Sequence, residues 1–456
     1  MAKEQPRTEP EMSKVDSPAF RAIFTPELEV VRELFVRHGH ALRLCGGAVR
    51  DILLDVTPDD VDLVTTATPE EMHAMFDAEG VRTINKKGES HGTVTCRIND
   101  KQNFEVTTLR VDIACDGRHA EVEFTRDWFL DALRRDLTVN SLFLDLDGTL
   151  IDYFHGRRDL LSSPRRIAFV GDAHARIRED YLRILRYFRF FGRLAGDPRG
   201  HDPAAIAAIR ENAAGLAQVS GERLWMELKK ILVGRFNAHL VPMMLSPRDT
   251  REDACGLSAY IGLPPDGGNL EQLQRVLELC QGLEPKPMTL LPALLRTSEE
   301  LDTAHGRLKF SNNERLLGLF ILKHRERGQE AEVKVFKDLI LDEGGEKKPE
   351  GVDRVLELLK YLGRSSILQE LRHWHPPKFP VSGYMVIDAG VKKGPPMKRT
   401  LDHLYELWKK SDYEAQPEEL LTHVHEVNQA EVAPREGDPF RFLGPDAKKQ
   451  KRTSAL

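Results

Sequence analysis

The chain of 456 residues has few cysteines, no long hydrophobic run and no excess of positive charge. Its five cysteines stand far apart and never in CxxC spacing, which argues against a disulfide framework and against a cysteine-based zinc site. No stretch approaches the roughly 18–20 consecutive apolar residues of a transmembrane helix. A net charge of −6 is not that of a general nucleic-acid coat protein, although a basic cleft can lie on an acidic body.

The N-terminal residues also lack the apolar segment that is typical of a secretion signal. They contain Arg7 but also three acids within the first eleven residues, which is a poor mitochondrial transit signature. We therefore expect an intracellular protein, and the mitochondrial, cytoplasmic and nuclear locations stay open.

Composition and periodicity divide the chain into segments. Hydrophobic residues make up 41% of it, which is enough for several cores. Short β-rich runs alternate with an amphipathic helix in the first third, and the remainder has helical periodicity only. We predict an α+β fold, in which a small head sheet is followed by a long all-helical neck, body and tail. The predicted segments are a mobile leader (1–24), a head (25–165), a neck (166–235), a body and tail (236–430) and a disordered basic tail (431–456).

The densest chemical signal is LCGGAVRD at 44–51, followed by TPDDVDL at 57–63. Gly46 and Gly47 lie between an apolar strand and a helix, where backbone N–H groups can approach a phosphate. Arg50, one turn further on, can point its guanidinium at the same anion. On a strand Asp60 and Asp62 project to the same side, and paired carboxylates suit Mg²⁺. An isolated Asp-x-Asp more often ends a strand or caps a helix, but the combination favours phosphoryl or nucleotidyl transfer with two metal ions.

Two further segments add candidate residues to this head. Alternation in NFEVTTLR places Glu105 on the face opposite Phe104 and Val106, so Glu105 either completes the metal site or faces solvent. In RRDLTVNS (134–141), Arg134 or Arg135 can bind phosphate or ribose, with Asp136 orienting one of them. The alternative for this second segment is a helix end with surface ion pairs, which contribute little.

The segment EDYLRILRYFRFFGR predicts one continuous amphipathic helix with a basic face. That face would carry Glu179, Asp180, Arg183, Arg186 and Arg189. Residues 176–193 contain six arginines and two acids, a local charge of 6 − 2 = +4. Because like charges repel unless an anion shares the site, we interpret this face as functional rather than as an ordinary surface helix stabilised by ion pairs. A further segment, SGERLWMELKKIL, predicts a bracing helix with Ser220 as N-cap and an Arg223–Glu227 pair.

These motifs together resemble a known family. GGAVRD, DVD, RRDLTVNS, DYFHGRRDL (152–160), EDYLRILRYFR and SGERLWMELKKIL are similar, in the same order, to motifs of the class II CCA-adding tRNA nucleotidyltransferases. The likeness extends from about residue 24 to residue 235, and HGTVTCRI, DGRHAEVEFTRDW and KFPVSG resemble the eukaryotic type.

The resemblance implies an enzyme that adds C, C and A to the 3′ end of tRNA from CTP and ATP with Mg²⁺. Asp60 and Asp62 would hold the metal, with Glu105 as a third catalytic candidate. Asp180 and Arg183 would act as a protein template for the incoming base. The loop 116–128 would help to switch from C to A addition, unless it is an ordinary hairpin, and the body would bind tRNA. The other nucleotide-binding residues would be Gly47, Arg50, Arg135, Arg186 and Arg189.

Two other functions remain open from the sequence. A poly(A) polymerase of the same superfamily has similar head motifs, although EDYLRILR and the long body favour CCA addition. A non-catalytic RNA-binding protein on an inactive head is the alternative of another class, and the intact Asp60 and Asp62 argue against it.

Overall fold

A computed structural model describes residues 9–84, 92–115, 120–345 and 348–426. The predicted basic tail 431–456 and residues 116–119 of the loop 116–128 lie outside this range. By compactness the chain forms two units, one of residues 1–331 with 353–372 and one of residues 332–352 with 373–456. Among the described residues, every helix is too short or too polar to cross a lipid bilayer.

The predicted head is built around a mixed sheet, with β-branched residues along its longer strands. The strands are β1 (Glu11–Lys14), β2 (Leu42–Cys45), β3 (Leu63–Thr65), β4 (Arg82–Ile84), β5 (Thr93–Ile98), β6 (Gln102–Thr108), β7 (Arg110–Cys115), β8 (Ala120–Phe124), β9 (Phe143–Asp145) and β10 (Thr149–Asp152). Eight of them form one sheet in the order β1-β10-β9-β2-β3-β6-β5-β4. Strands β3 and β6 pair in parallel, and the other neighbours are antiparallel.

Strands β7 and β8 form a separate antiparallel pair on either side of residues 116–119. The described flanks of the loop 116–128 are thus those of a hairpin. Its proposed part in switching between C and A addition stays a prediction.

The helices of the head are α1 (Pro18–Ala22), α2 (Pro26–Arg37), α3 (Gly46–Leu53), α4 (Pro69–Ala78), α5 (Trp128–Leu133) and α6 (Gly156–Leu161). Helices pack on the head sheet around two hydrophobic clusters, a smaller one with side chains of α5 and a large one with side chains of α1 to α4, the head core. Fully buried side chains of α2, α4 and β6, among them Phe35, Phe76 and Phe104, pack into this core. The alternation predicted for β6 is confirmed, because Phe104 and Val106 are buried whereas Glu105 is exposed.

The prediction of a mobile leader is wrong for the described part of residues 1–24. Strand β1 pairs with β10, with Glu11 opposite Asp152, and thereby covers an otherwise unpaired sheet edge. Lys14 donates to Thr149 Oγ1 at 2.7 Å and to Asp147 Oδ2 at 2.9 Å. Because Phe20 joins the head core, apolar burial also fixes α1.

The helices that follow the head confirm the predicted α+β architecture. Residues 166–235, the predicted neck, contain α7 (Ala173–Glu179), α8 (Arg183–Leu194), α9 (Pro203–Asn212) and α10 (Gly221–Leu232). Further helices are α11 (Asn237–Leu245), α12 (Leu270–Leu279), α13 (Pro287–Leu294), α14 (Ser298–Leu308), α15 (Asn312–His324), α16 (Val333–Asp342), α17 (Pro349–Tyr361), α18 (Ser365–Arg372), α19 (Gly383–Asp388), α20 (Pro395–Lys410) and α21 (Pro417–Leu421). In the second unit, Trp408 lies at the centre of a core shared by α16, α19, α20 and α21.

The predicted continuous helix over residues 179–193 is interrupted. Helix α7 ends at Glu179, Asp180 adopts an extended conformation, and α8 begins at Arg183. Asp180 Oδ1 accepts a hydrogen bond from the Leu182 N–H at 3.1 Å, so this side chain stabilises the turn between the helices. The apolar face was predicted correctly, since Ile184 and Phe188 are fully buried.

Candidate active site

The Gly-Gly turn joins β2 to α3 at the middle of the head sheet. Gly46 has φ = 62°, a left-handed conformation that glycine adopts without strain, and it begins α3. No described side chain caps the N-terminus of α3, so its first N–H groups can bind an anion. Immediately before the turn, the Cys45 N–H donates to the Asp62 carbonyl oxygen at 3.1 Å, which fixes the aspartate segment beside the helix start.

Asp60 lies at a bend and Asp62 in irregular backbone just before β3, not within a strand as predicted, because β3 begins at Leu63. Val61 still packs against the head core, so the alternation that separates it from the two aspartates is confirmed. Partial burial and the negative charge of Asp60 raise the pKa of Asp62, and Arg135 and Arg50 partly oppose this rise. The described residues supply no ion-pair partner to either carboxylate.

Glu105 lies one strand away from this pair. In the parallel pairing of β3 with β6, Leu63 is opposite Val106, so the residues that precede them, Asp62 and Glu105, lie at the same level of the sheet. Within the described residues, however, no group of three or more His, Cys, Asp or Glu side chains is arranged to hold a metal ion. The catalytic role of Glu105 therefore stays a prediction.

Arg50 lies on α3 and its side chain is buried. It is 4% exposed and donates to the Asn140 side-chain oxygen, and its guanidinium carbon lies 5.0 Å from the centre of the Phe190 ring. Burial and the neighbouring Arg193 lower the pKa of Arg50 to about 10. If a Cβ were added to Gly47, it would lie 3.6 Å from an Arg50 Nη atom, so the two residues are adjacent as predicted.

Arg135 is held by an aspartate that the sequence interpretation did not name. Asp131 is fully buried and accepts hydrogen bonds from Arg135 Nε at 2.9 Å and from Arg134 Nε and Nη2 at 3.0 and 2.8 Å. Burial alone would raise the pKa of Asp131, but Arg135 and Arg134 hold it below its ordinary value. The prediction that Asp136 orients one of these arginines is wrong, because Asp131 orients both.

Asp136 instead connects the head to the neck. Its Oδ2 accepts from Arg186 Nε at 2.7 Å, and its Oδ1 accepts from Asn140 Nδ2 at 2.8 Å. Burial opposes ionisation, but Arg186 and Asn140 hold the pKa of Asp136 at about 2. Burial would likewise lower the pKa of Arg186, and Asp136 raises it above its ordinary value.

Arg189 is one turn further along α8 and pairs with α10. Its Nε lies 2.9 Å from Glu227 Oε2, and its guanidinium carbon lies 4.3 Å from the centre of the Phe190 ring. Arg186 also lies beside this ring, at 5.4 Å, so three of the predicted nucleotide-binding arginines contact one aromatic side chain.

The two predicted template residues have different partners. Asp180 Oδ2 accepts from Arg223 Nη2 at 2.7 Å. Arg183 is buried, and it donates to Glu179 Oε2 at 2.7 Å and to the Arg134 carbonyl oxygen at 2.7 Å. The predicted pair within α10 is wrong too, because Arg223 pairs with Asp180 in the turn between α7 and α8, and Glu227 pairs with Arg189 on α8.

Sequence reasoning missed several residues that organise this site, namely Asp131, Asn140 and Phe190, and it also missed the ion pairs of Arg223 with Asp180 and of Glu227 with Arg189. For Asp131 a signal was available, since it precedes Arg134 and Arg135 by three and four residues, the spacing of neighbours on a helix. No spacing rule pairs Asn140 with Arg50, because 90 residues separate them.

The arrangement suits a divalent cation and a polyphosphate. Asp60 and Asp62, for which the described residues supply no cationic partner, are an oxygen donor set of the kind that Mg²⁺ takes. The uncapped start of α3 and the arginines beside it supply donors for phosphate oxygens. The donor set of Asp60 and Asp62 therefore fits the metal that the motif predicts.

Comparisons with known proteins agree with this geometry. A family model described as "Poly A polymerase head domain" matches residues 42–165. A second, "Probable RNA and SrmB- binding site of polymerase A", matches residues 202–245.

Full-length relatives cover most of the chain. The human protein "CCA tRNA nucleotidyltransferase 1, mitochondrial" is 47% identical over 416 residues, which are 90% of this chain and 92% of the human protein. The Danio rerio protein of the same name is 49% identical over 408 residues, 88% of this chain and 91% of its own length. The crystal structure of the Bacillus stearothermophilus CCA-adding enzyme in complex with CTP has a TM-score of 0.70 at 27% identity, covering 91% of this chain and 98% of that one.

The relatives match the chain from head to body, and the fold agrees with theirs. Since identity near one half extends over nine tenths of both chains, the likeness is not confined to the shared head domain. The chain is a nucleotidyltransferase and belongs to the family of eukaryotic CCA-adding enzymes, the CCA tRNA nucleotidyltransferases.

Proposed function

We propose that this chain adds C, C and A to the 3′ end of tRNA from CTP and ATP without a nucleic-acid template. The observation that carries the proposal is the pair of carboxylates, Asp60 and Asp62, beside the uncapped start of α3 and within the electrostatic influence of Arg50 and Arg135. The names of the relatives support tRNA as the substrate, and the complex of the Bacillus enzyme with CTP supports that nucleotide. Two relatives carry "mitochondrial" in their names, and we extend that location to this chain.

Asp60 and Asp62 would hold Mg²⁺, with Glu105 as the third catalytic carboxylate. Two bound ions would supply activation of the primer 3′-hydroxyl and stabilisation of the pyrophosphate that leaves. The N–H groups at Gly47 would bind phosphate oxygens, and Arg50 and Arg135 would neutralise their charge. Arg186 and Arg189 would extend this positive surface along α8.

Asp180 and Arg183 would read the Watson–Crick edge of the incoming base. A carboxylate accepts and a guanidinium donates, which matches the mixed donors and acceptors of cytosine and adenine. The hydrogen bonds of Arg183 to Glu179, Arg176 and Arg134 use three of its five N–H donors among the described residues, so two are left for a base. Within the same described residues, each Asp180 oxygen accepts one hydrogen bond and has a second lone pair.

The segments have separate proposed roles. The head (25–165) would carry the chemistry and the neck (166–235) would select the nucleotide. The body and tail (236–430) would bind the tRNA through phosphate contacts and shape, without reading bases.

The metal assignment is tested by Asp60→Ala combined with Asp62→Ala. We expect loss of CTP and ATP incorporation into a tRNA that lacks its 3′ end, with tRNA affinity retained. Asp77→Ala, an exposed carboxylate on α4 of the same head, is the matched control and should keep activity. Unaffected incorporation in the double variant would contradict the assignment.

The template is tested separately with Asp180→Ala and Arg183→Ala. A base that leaves one buried polar group unpaired loses roughly 1–3 kcal/mol, so we expect selectivity for CTP and ATP over UTP to fall by about 5- to 150-fold. Arg178→Ala removes an exposed arginine of α7, which donates to Asn212, and should keep selectivity. Unchanged selectivity in both template variants would refute the template. Incorporation of ATP alone by the wild-type chain would instead favour the poly(A) polymerase alternative.

A further inference from the structure

Two of the arginines that the proposed function assigns to the nucleotide donate to one uncharged residue, and a third is connected to it through an aspartate. Asn140 ends a short 3₁₀ turn, Thr138–Asn140, and is 6% exposed. Its side-chain oxygen accepts from Arg50, and its backbone carbonyl accepts from Arg135 Nη1 at 3.0 Å. Its amide nitrogen donates to Asp136, which in turn holds Arg186.

The chemistry of an amide explains why this position is occupied by asparagine. The oxygen must face a cation and the nitrogen must face an anion, and only an amide group offers an acceptor and donors at this length. A carboxylate could still accept from Arg50 but would repel Asp136. An alanine would leave the buried Arg50 donor without this partner and would remove one of the two hydrogen bonds that Asp136 Oδ1 accepts, the other coming from the Leu137 N–H, and such losses are costly for charged groups.

We propose that Asn140 is a positioning residue that holds Arg50, Arg135 and, through Asp136, Arg186 in one arrangement at the junction of head and neck. Arg50 lies on α3 and Arg186 on α8, so a single amide couples the head helix to the neck helix. Asn140 acts through these arginines on the nucleotide and not on the reacting atoms. The inference rests on the proposed function, since it assigns the arginines to the triphosphate or primer.

The first test is Asn140→Ala, assayed for the KM and kcat of CTP and ATP addition with tRNA lacking its 3′ end. We expect the KM for both nucleotides to rise about 10- to 100-fold, because each lost hydrogen bond to a charged group is worth roughly tenfold. The fall in kcat should be smaller than the rise in KM, and the Kd for tRNA should not change.

The matched control is Asn212→Ala. Asn212 is 8% exposed, and its side chain also bridges several groups: it accepts from Arg178 at 3.0 Å, donates to the Ala208 carbonyl at 2.8 Å and lies 3.1 Å from His174 Nδ1. Both variants lose buried hydrogen bonds in the same compact unit. If Asn212→Ala raised the two KM values as much as Asn140→Ala, the role of Asn140 would be structural only and the proposal would be overturned.

A charge exchange keeps the proposal testable even if Asn140→Ala does not fold. Asn140→Asp places two carboxylates where a 2.8 Å hydrogen bond stood, whereas Asn140→Asp combined with Asp136→Asn removes that repulsion, although it also removes the Asp136 charge beside Arg186. We expect a lower KM for the double variant than for Asn140→Asp. If the fold-increase in KM of the double variant equalled the product of the fold-increases of Asn140→Asp and Asp136→Asn, the coupling between the two side chains would be contradicted.

The outcomes separate this inference from the proposed function. A wild-type chain that incorporates neither CTP nor ATP would refute the function itself. Normal wild-type incorporation with unchanged KM values in the Asn140 variants would refute only the positioning role.

Discussion

Replacing Asp131 by asparagine is expected to destabilise the protein strongly although the two side chains have the same shape. Asp131 is fully buried and receives donors from Arg134, Arg135 and the Arg110 backbone N–H. The asparagine amide would leave two guanidinium groups without their buried counter-charge. Removing one partner from a buried ion pair costs about 3–5 kcal/mol, a large part of a typical stability of about 5–15 kcal/mol.

Urea unfolding at pH 7 measures this loss. With a slope of about 3 kcal/mol per molar, the midpoint should fall by about 1 M or more. Asp147→Asn is the control, because Asp147 also pairs with a cation, Lys14, but is exposed, and exposed pairs contribute about 0–1 kcal/mol. A midpoint for Asp131→Asn that equals that of Asp147→Asn would refute the reasoning.

The pH dependence gives an independent check on Asp131. Arg135 and Arg134 outweigh burial and hold its folded-state pKa below the unfolded value of about 3.9. The contribution of ionised Asp131 to the free energy of unfolding is therefore fully present above the unfolded-state pKa. It is lost as the pH falls through the folded-state pKa. The stability difference between wild type and Asp131→Asn should narrow below about pH 4, and a constant difference down to pH 2 would contradict the assignment.

Three other predictions concern the turn, the template and the neck. Gly46→Ala forces a side chain into a left-handed conformation and should lose about 1–2 kcal/mol in urea unfolding, whereas Gly47→Ala should fold normally and raise the KM for CTP. Arg223→Ala removes the partner of the Asp180 carboxylate and should reduce the selectivity for CTP over UTP. A selectivity equal to that of the wild type would contradict a role of Arg223 in holding Asp180. Burial and His239 lower the pKa of His201 to about 4, so stability should decline as pH falls from about 6.5 to 4, and His201→Phe should reduce that decline.

The sequence predicted the strands and helices of the head well, because local patterns carry that information. Alternation separated Glu105 from Phe104, and the two glycines indicated the turn at which α3 begins. The edge strand β1 was missed because its residues are polar and its stability comes from pairing with β10, far along the chain.

Partner choice among charged residues could not be predicted in the same way. Periodicity showed that α8 has a basic face, but not which carboxylate each arginine meets. Arg186 pairs with Asp136 from the head, and Arg223 pairs with Asp180 in the turn between α7 and α8 rather than with Glu227 on its own helix. The extended residue Asp180 likewise combines a local hydrogen bond from the Leu182 N–H with a tertiary ion pair to Arg223, and helix propensity does not report the second.

The most direct measurement of the central claim is the length and sequence of the product made on a tRNA that lacks its 3′ end. We predict two additions with CTP alone and three, in the order C, C and A, when CTP and ATP are both present. Addition should stop there without any template strand. A long tail of A, or no incorporation of CTP, would contradict the account.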